Sequence, residues 1–267
     1  MLELQQVTKS YHLPDGKSVP ALQAINLVLQ RGEWLGIVGE SGSGKSTMAR
    51  CITHLESVTS GHILYRQQDV TRLQGEALRQ HYRQIQLVFQ EPGSVFHPRM
   101  RIGEFLSEPL RNYKLMPRMQ MASEVSRQLE RVGLPPAMAS KYPHELSGGQ
   151  LQRVMIARAI SIQPEVIVFD EPTSALDVSS QRQILELLST LRRETGVGAI
   201  FISHDLAVVQ QVCERIAVMQ EGRIVDVVTD SRQLVPSELH PYTRKLIEAV
   251  PTIHTAMKQS RHTNQRS

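Results

Sequence analysis

No feature of this chain narrows its possible folds more than the run Gly39-Glu40-Ser41-Gly42-Ser43-Gly44-Lys45-Ser46. Before it, Trp34-Leu35-Gly36-Ile37-Val38 is almost unbroken apolar sequence, as a strand buried on both faces requires. After it, Met48, Cys51, Ile52 and Leu55 recur at i, i+3, i+4 and i+7, the spacing of one helix face. A glycine-rich turn from a buried strand into a helix is a phosphate cradle. Glycines let the backbone wrap closely and aim its N–H groups inward, and the helix N-terminus adds positive potential. Lys45 has the reach for β- and γ-phosphates, and Ser46 offers a hydroxyl to Mg²⁺. From average residue usage, a chance match to this pattern in such a chain is on the order of one in a hundred.

The rest of the chain fits an α/β reading. Leu2, Leu4 and Val7 are spaced as on extended segments, Ile25, Leu27 and Leu29 alternate as on a half-buried strand, and Gln30-Arg31-Gly32 is a turn. Ile85 to Phe89, Val166 to Phe169 and Ala199 to Ser203 read as buried strands. Helices are expected through Val125, Leu129 and Val132 with Gly133 as C-terminal cap, through Leu151, Val154, Met155 and Arg158, through Ile184, Leu187, Leu188 and Leu191, and through Leu206, Val209 and Cys213. Glu221-Gly222 separates two short strands as a hairpin turn. Prolines 92, 98, 109, 117, 135, 136 and 143 cut a mostly helical insertion into short pieces. Alternating strands and helices argue for a mostly parallel sheet covered on both faces.

Composition excludes several classes. A chain of 267 residues with 40% apolar and 21% charged residues buries a core and is not disordered. Its net charge of +4 is too mild and too scattered for a nucleic-acid partner. Cys51 and Cys213 are too few for a disulfide scaffold and read as small core residues of a reducing compartment. No run approaches the ~18 apolar residues of a membrane span, and Met1-Leu2-Glu3-Leu4 does not open a secretory signal. A soluble, cytoplasmic, globular protein is expected. Histidines other than His204, together with Trp34 and Met116-Met119-Met121, read as packing or surface, with no CxxC and no clustered metal-ligand spacing.

A second chemical motif closes the strand Val166-Ile167-Val168-Phe169, where Asp170 and Glu171 follow directly. In phosphate-loop ATPases an acid at this place holds Mg²⁺, which suits Asp170. Glu171, one residue on, points elsewhere and suits a general base for water. Asp-Glu-Pro also suits a plain strand-end turn. The site becomes specific with Leu146-Ser147-Gly148-Gly149-Gln150, which resembles the signature of ABC-type ATPases. Gln90 resembles that family's Q-loop glutamine, Ser174-Ala175-Leu176-Asp177 its D-loop, His204 its switch histidine and Tyr11 its adenine-stacking aromatic. The motifs stand in the family's order over roughly residues 1–225.

The resemblance implies an ABC-type phosphate-loop ATPase. Its fold is α/β, with a mainly parallel core sheet, an N-terminal antiparallel β part and a helical subdomain. The expected division is 1–91 with 156–230 as ATPase core, 92–155 as helical signature subdomain, 231–251 as C-terminal extension and 252–267 as mobile tail. ATP and Mg²⁺ are the implied cofactors. Residues Gly39 to Thr47 and Tyr11 would bind ATP, Ser46, Gln90 and Asp170 the metal, with Glu171, His204 and Gln90 catalytic. Ser147-Gly148-Gly149 is a second anion-binding helix N-terminus. The resemblance implies that it closes on the nucleotide of a second subunit, so that ATP holds a head-to-tail dimer together.

Within the family, no long coiled coil separates phosphate loop from signature, a gap of about a hundred residues. There is one cassette and no fused span. A separate importer subunit remains. Val88-Phe89-Gln90-Glu91-Pro92, Pro98-Arg99, Ile102-Gly103, Glu108-Pro109-Leu110 and His240-Pro241-Tyr242-Thr243-Arg244 with Leu246, Ala249, Val250 and Pro251 resemble the peptide/nickel importers. Phe96, Met100, Ile102 and Phe105 are candidate apolar contacts for the membrane subunit, or else the core of the helical insertion. Pro241 suits the first turn of a helix. The implied partners are two transmembrane permease subunits, a sister ATP-binding subunit and, indirectly, an extracytoplasmic substrate-binding protein. The implied place is the cytoplasmic face of a bacterial inner membrane. Phe96-His97 stands where many peptide importers carry Leu-Asn, and the cysteine-rich segment of longer members does not follow Pro251. With Gln150-Leu151-Gln152-Arg153-Val154, this leans the cargo toward nickel or a metal chelate over di- or oligopeptides. The reading from another class is a regulatory ABC-type ATPase that gates a membrane partner without transport.

Overall fold

The structure is a computed structural model that describes residues 1–230 and 239–249. The chain opens with β1 (Leu2–His12), β2 (Ser18–Leu29), β3 (Trp34–Val38), α1 (Lys45–Ile52), β4 (Ser60–Tyr65) and β5 (Gln68–Asp69). It continues with α2 (Gly75–Gln84), β6 (Ile85–Val88), α3 (Ile102–Asn112), α4 (Met121–Arg131), α5 (Gly148–Ser161), β7 (Val166–Asp170) and α6 (Val178–Thr195). Then come β8 (Gly198–Ser203), α7 (Leu206–Val212), β9 (Arg215–Gln220), β10 (Arg223–Val228) and α8 (Pro241–Glu248). Four short 3-10 turns at Pro92–Ser94, Arg118–Gln120, Pro136–Ser140 and Pro143–Glu145 punctuate the proline-rich insertion. The tail at 252–267, together with Val250 and Pro251, lies outside the described residues.

Two compact units arise, residues 1–72 with 200–267, and residues 73–199. In the first, β1 pairs antiparallel with β2 and with β4, which carries β5. The inward residues Leu2, Leu4, Ile25, Leu27 and Leu29 are buried, as their alternation requires, and a register shift between Leu4 and Val7 turns Val7 inward as well. β3 is buried along its whole length and pairs in parallel with β9, and β9 pairs antiparallel with β10. The β9–β10 turn takes Glu221 and Gly222 at φ 48° and 76°, the left-handed pair of a two-residue hairpin. Arg215 at the start of β9 grips Glu33 through Nε–Oε1 at 2.6 Å and Nη2–Oε2 at 3.1 Å and also donates to the Val28 carbonyl. This fork ties the β2–β3 turn to β9. Helix α1 stops at Ile52, and Leu55, expected on the same face, lies beyond it with 49% exposure. Its i+7 spacing matches a helix face, but the chain has already left the helix through the Thr53 cap.

In the second unit β6 and β7 pair in parallel. The buried face of α6 is Ile184, Leu185, Leu188 and Leu191, with Leu187 half-buried. The insertion is helical as expected, and Gly133 closes α4 at φ 70°. Phe96, Ile102 and Phe105, considered above as contacts for a membrane subunit, are 7%, 0% and 4% exposed, and the two rings lie 4.3 Å apart. They form core, and only Met100 is half-buried. The Arg158 guanidinium lies 4.3 Å from the Phe105 ring centroid, bonds the Phe105 carbonyl and reaches Glu108 at 2.8 Å. One arginine on α5 thereby locks α3 in place.

Candidate functional site

The phosphate loop leaves β3 at Val38 and enters α1 at Lys45, as the sequence predicts. Its glycines are set by crowding. A Cβ on Gly39 would meet the Met219 carbonyl oxygen at 2.2 Å, and one on Gly44 the Ala21 carbonyl oxygen at 2.4 Å. Both residues take backbone angles closed to other side chains, at φ 157° and 101°. The loop is pinned from outside as well. Gly222 N–H in the β9–β10 turn donates to the Ser43 carbonyl at 3.0 Å, and Glu40 N–H donates to the Tyr242 hydroxyl at 2.9 Å. Lys45 is 4% exposed. Its Nζ donates to Gly39 O at 2.8 Å, Glu40 O at 2.7 Å and Ser43 Oγ at 3.4 Å. The ammonium is thus held inside the arc of the loop, where converging N–H groups favour an anion.

Tyr11, near the end of β1, stands beside this loop. Its hydroxyl donates to the Glu56 carboxylate and shares a hydrogen bond with Thr47, and Lys9 Nζ lies 5.1 Å from its ring centroid. Partial burial, chiefly, pushes the phenol above its ordinary pKa, and Glu56 adds to this. Glu56 has no signal in the sequence that marks it as the partner of Tyr11. His204 follows β8 and is exposed, while its neighbour Asp205 caps α7 by accepting from Ala207 N at 2.8 Å.

The second unit brings together another set. Asp170 ends β7 and is 5% exposed. Glu171 takes φ 47°, a left-handed conformation that turns its side chain off the strand's alternation. Gln90 Nε2 lies 3.4 Å from Glu171 Oε2 and 3.3 Å from Ser174 Oγ, and Ser174 Oγ donates to the Glu171 carbonyl at 3.1 Å. Gln90 thus joins Glu171 and Ser174, more than eighty positions further along the chain, in one cluster.

The signature begins α5. Ser147 is its N-cap, with Oγ accepting from Gln150 N at 3.3 Å, and Gln150 Oε1 accepts from Ser147 N at 2.9 Å. This capping box leaves Gly148 and Gly149 at the helix start. Gly149 packs so closely on α6 that a Cβ there would lie 2.9 Å from Ser180 Oγ. Leu146 is buried. Asp177 caps α6, accepting from Ser180 N at 2.9 Å and Ser180 Oγ at 2.7 Å, and these bonds hold its carboxyl below the usual range. Ala175 is exposed, and Leu176 is half-buried with Cδ2 3.7 Å from where a Gly148 Cβ would stand. Signature and D-loop are therefore joined within this unit.

The pattern of the family described as "ABC transporter" matches residues 22–174. A probable peptide ABC transporter ATP-binding protein of Sinorhizobium fredii (strain NBRC 101917 / NGR234) is 44% identical over 94% of this chain and 72% of its own. The oligopeptide transport ATP-binding protein OppF of Escherichia coli (strain K12) is 42% identical over 94% of this chain and 78% of its own. The glutathione import ATP-binding protein GsiA of the same bacterium is 44% identical over 93% of this chain and 38% of its own. Among solved structures, the dimeric post-hydrolysis state of the ATP-binding cassette MJ0796 bound to ADP and Pi superposes with a TM-score of 0.79 at 32% identity. It covers 88% of this chain and 100% of that one.

Proposed function

This chain belongs to the ABC transporter family as an ATP-binding subunit, and from that premise we propose that it powers import of short peptides through a bacterial membrane complex. It is a transport ATPase, converting ATP and water to ADP and phosphate. The observation that carries the cargo proposal is the set of peptide, oligopeptide and glutathione names on relatives that match at least 93% of this chain. The lean to nickel rests on likeness at Phe96-His97 and at Gln150 to Val154 alone, and the relatives above are named for peptide, oligopeptide and glutathione transport.

The amides from Gly39 to Thr47, with Lys45, bind the phosphates, and the Tyr11 ring stacks on adenine. Ser46, Gln90 and Asp170 offer a hydroxyl, an amide and a carboxylate, the hard oxygen donors that suit Mg²⁺. The metal would neutralise phosphate charge. Glu171 takes the proton of the attacking water, with Gln90 at 3.4 Å orienting the carboxylate, and His204 faces the γ-phosphate. The signature Leu146-Ser147-Gly148-Gly149-Gln150 and the D-loop Ser174-Ala175-Leu176-Asp177 serve the nucleotide of a sister subunit. Permease subunits are the implied membrane partners, two in number, fed by an extracytoplasmic binding protein. A peripheral place on the cytoplasmic face is proposed from the likeness to ATP-binding subunits of import systems, and no helix among the described residues is long and apolar enough to cross a membrane.

The test is uptake of radiolabelled tripeptide and of radiolabelled nickel in cells lacking this subunit, each restored from a plasmid. Loss of peptide uptake alone is expected. Loss of nickel uptake alone would replace the peptide proposal with the nickel reading. No loss of either would favour the regulatory ATPase.

A further inference from the structure

The His240-Pro241-Tyr242-Thr243 motif has no part in the chemistry above, yet the structure brings it to the phosphate loop. Helix α8 begins there, with Pro241 in its first turn and His240 Nδ1 accepting from Tyr242 N at 3.3 Å. Asp226 on β10 anchors this helix start. Its carboxylate accepts His240 N–H at 2.8 Å and the Thr243 hydroxyl, and Thr243 is 2% exposed. So anchored, α8 presents the Tyr242 side chain to the loop, where Oη accepts Glu40 N–H at 2.9 Å. Burial pushes the Tyr242 phenol above its ordinary pKa, so the hydroxyl stays neutral at physiological pH.

The position of that bond matters. Glu40 N–H and the Gly39 carbonyl belong to one peptide group, which is planar and rotates as a unit. The Gly39 carbonyl accepts Lys45 Nζ at 2.8 Å. Tyr242 and Lys45 thus hold opposite edges of one plate. Loss of the hydroxyl would free that plate to tilt about its flanking dihedrals, carrying away a carbonyl that aims the Lys45 ammonium.

We propose that Tyr242 is a positioning residue for ATP binding. Through the Gly39–Glu40 peptide it orients Lys45, and Asp226, His240 and Thr243 form the bracket that holds it there. The proposal rests on the ATPase reading above and deepens it. It gives the C-terminal motif a role in the nucleotide site itself, separate from any cargo.

The experiment compares the full chain with its Tyr242→Phe variant, which keeps the buried ring and removes only the hydroxyl. Three quantities are read: the dissociation constant for trinitrophenyl-ATP, the midpoint of thermal unfolding without nucleotide, and amide hydrogen exchange over the phosphate loop. The expected result is about 3- to 10-fold weaker nucleotide binding, as losing one net hydrogen bond implies. Exchange at Glu40 should become faster, and the unfolding midpoint should hold within a few degrees. Unchanged affinity overturns the proposal, whatever the exchange. So does a lowered midpoint with unchanged affinity, which marks plain packing. In the unmodified chain, an unprotected Glu40 amide overturns it without need of the variant. If the unmodified chain binds no nucleotide, the ATPase reading fails and the proposal falls with it. Tight binding by both chains sinks the positioning role alone.

Discussion

Lys45 is a buried cation with three of its hydrogen bonds made to neutral oxygens of its own loop. An ammonium held this way is ready for phosphate oxygens, which are far better partners. Lys45→Ala should weaken ATP binding by about 10- to 100-fold, the worth of a hydrogen bond to a charged group, read by fluorescence titration. Unchanged affinity would count against the loop's role. For the proposed base, Glu171→Gln should bind ATP normally and lose turnover by about 100-fold or more, measured as phosphate release. Full turnover would remove Glu171 from the chemistry. The sequence marks both residues, because their motifs are contiguous. It does not mark Glu56, whose bond to Tyr11 closes across 45 residues, nor the left-handed backbone at Glu171. Cys51 answers the composition argument directly. It is buried, and burial raises its thiol to about 11, so at pH 8 only about one thiol in a thousand is ionised. Iodoacetamide at pH 8 should leave Cys51 unmodified until the chain is unfolded, as mass spectrometry would record.

Among the elements, α5 carries the most functional weight in the fewest residues. Its capping box satisfies Ser147 and Gln150 reciprocally and leaves the two glycines at an open helix start. Ser147→Ala should cost about 1 kcal/mol of stability by urea unfolding. A cost near zero would mean that the cap matters only to ligand. Most strands and most helices are legible, because periodicity is a local property and burial follows it, but β4, β5 and α2 carry no clear period and emerge only in the structure, as do the bounds of α3. Two readings show its limit. The spacing of Leu55 matched α1, yet the helix ends three residues earlier. Phe96, Ile102 and Phe105 suit a docking face or a core equally by composition, and they lie in the core, with Arg158 over the Phe105 ring. An apolar residue carries no sign of which apolar surface will cover it.

At the scale of the molecule, the signature is proposed to act on a partner's nucleotide rather than on this chain's own. Gly148→Asp, which sets a carboxylate at the start of α5, should then leave ATP affinity of the isolated chain within about twofold. In the assembled transporter the same variant should lower turnover by more than about tenfold. Equal loss of affinity in the isolated chain would break that division. The sequence by itself determined the phosphate loop, the signature, the acid pair, the α/β order and the family, because each is written in residues a few positions apart. Only the tertiary structure decided that Gln90, Glu171 and Ser174 meet, that Tyr11 lies beside Thr47, and that Tyr242 reaches the loop from 202 positions away. Local patterns follow from backbone sterics and the burial of one face. Contacts across long stretches of chain depend on how whole elements pack, which no short window of sequence contains.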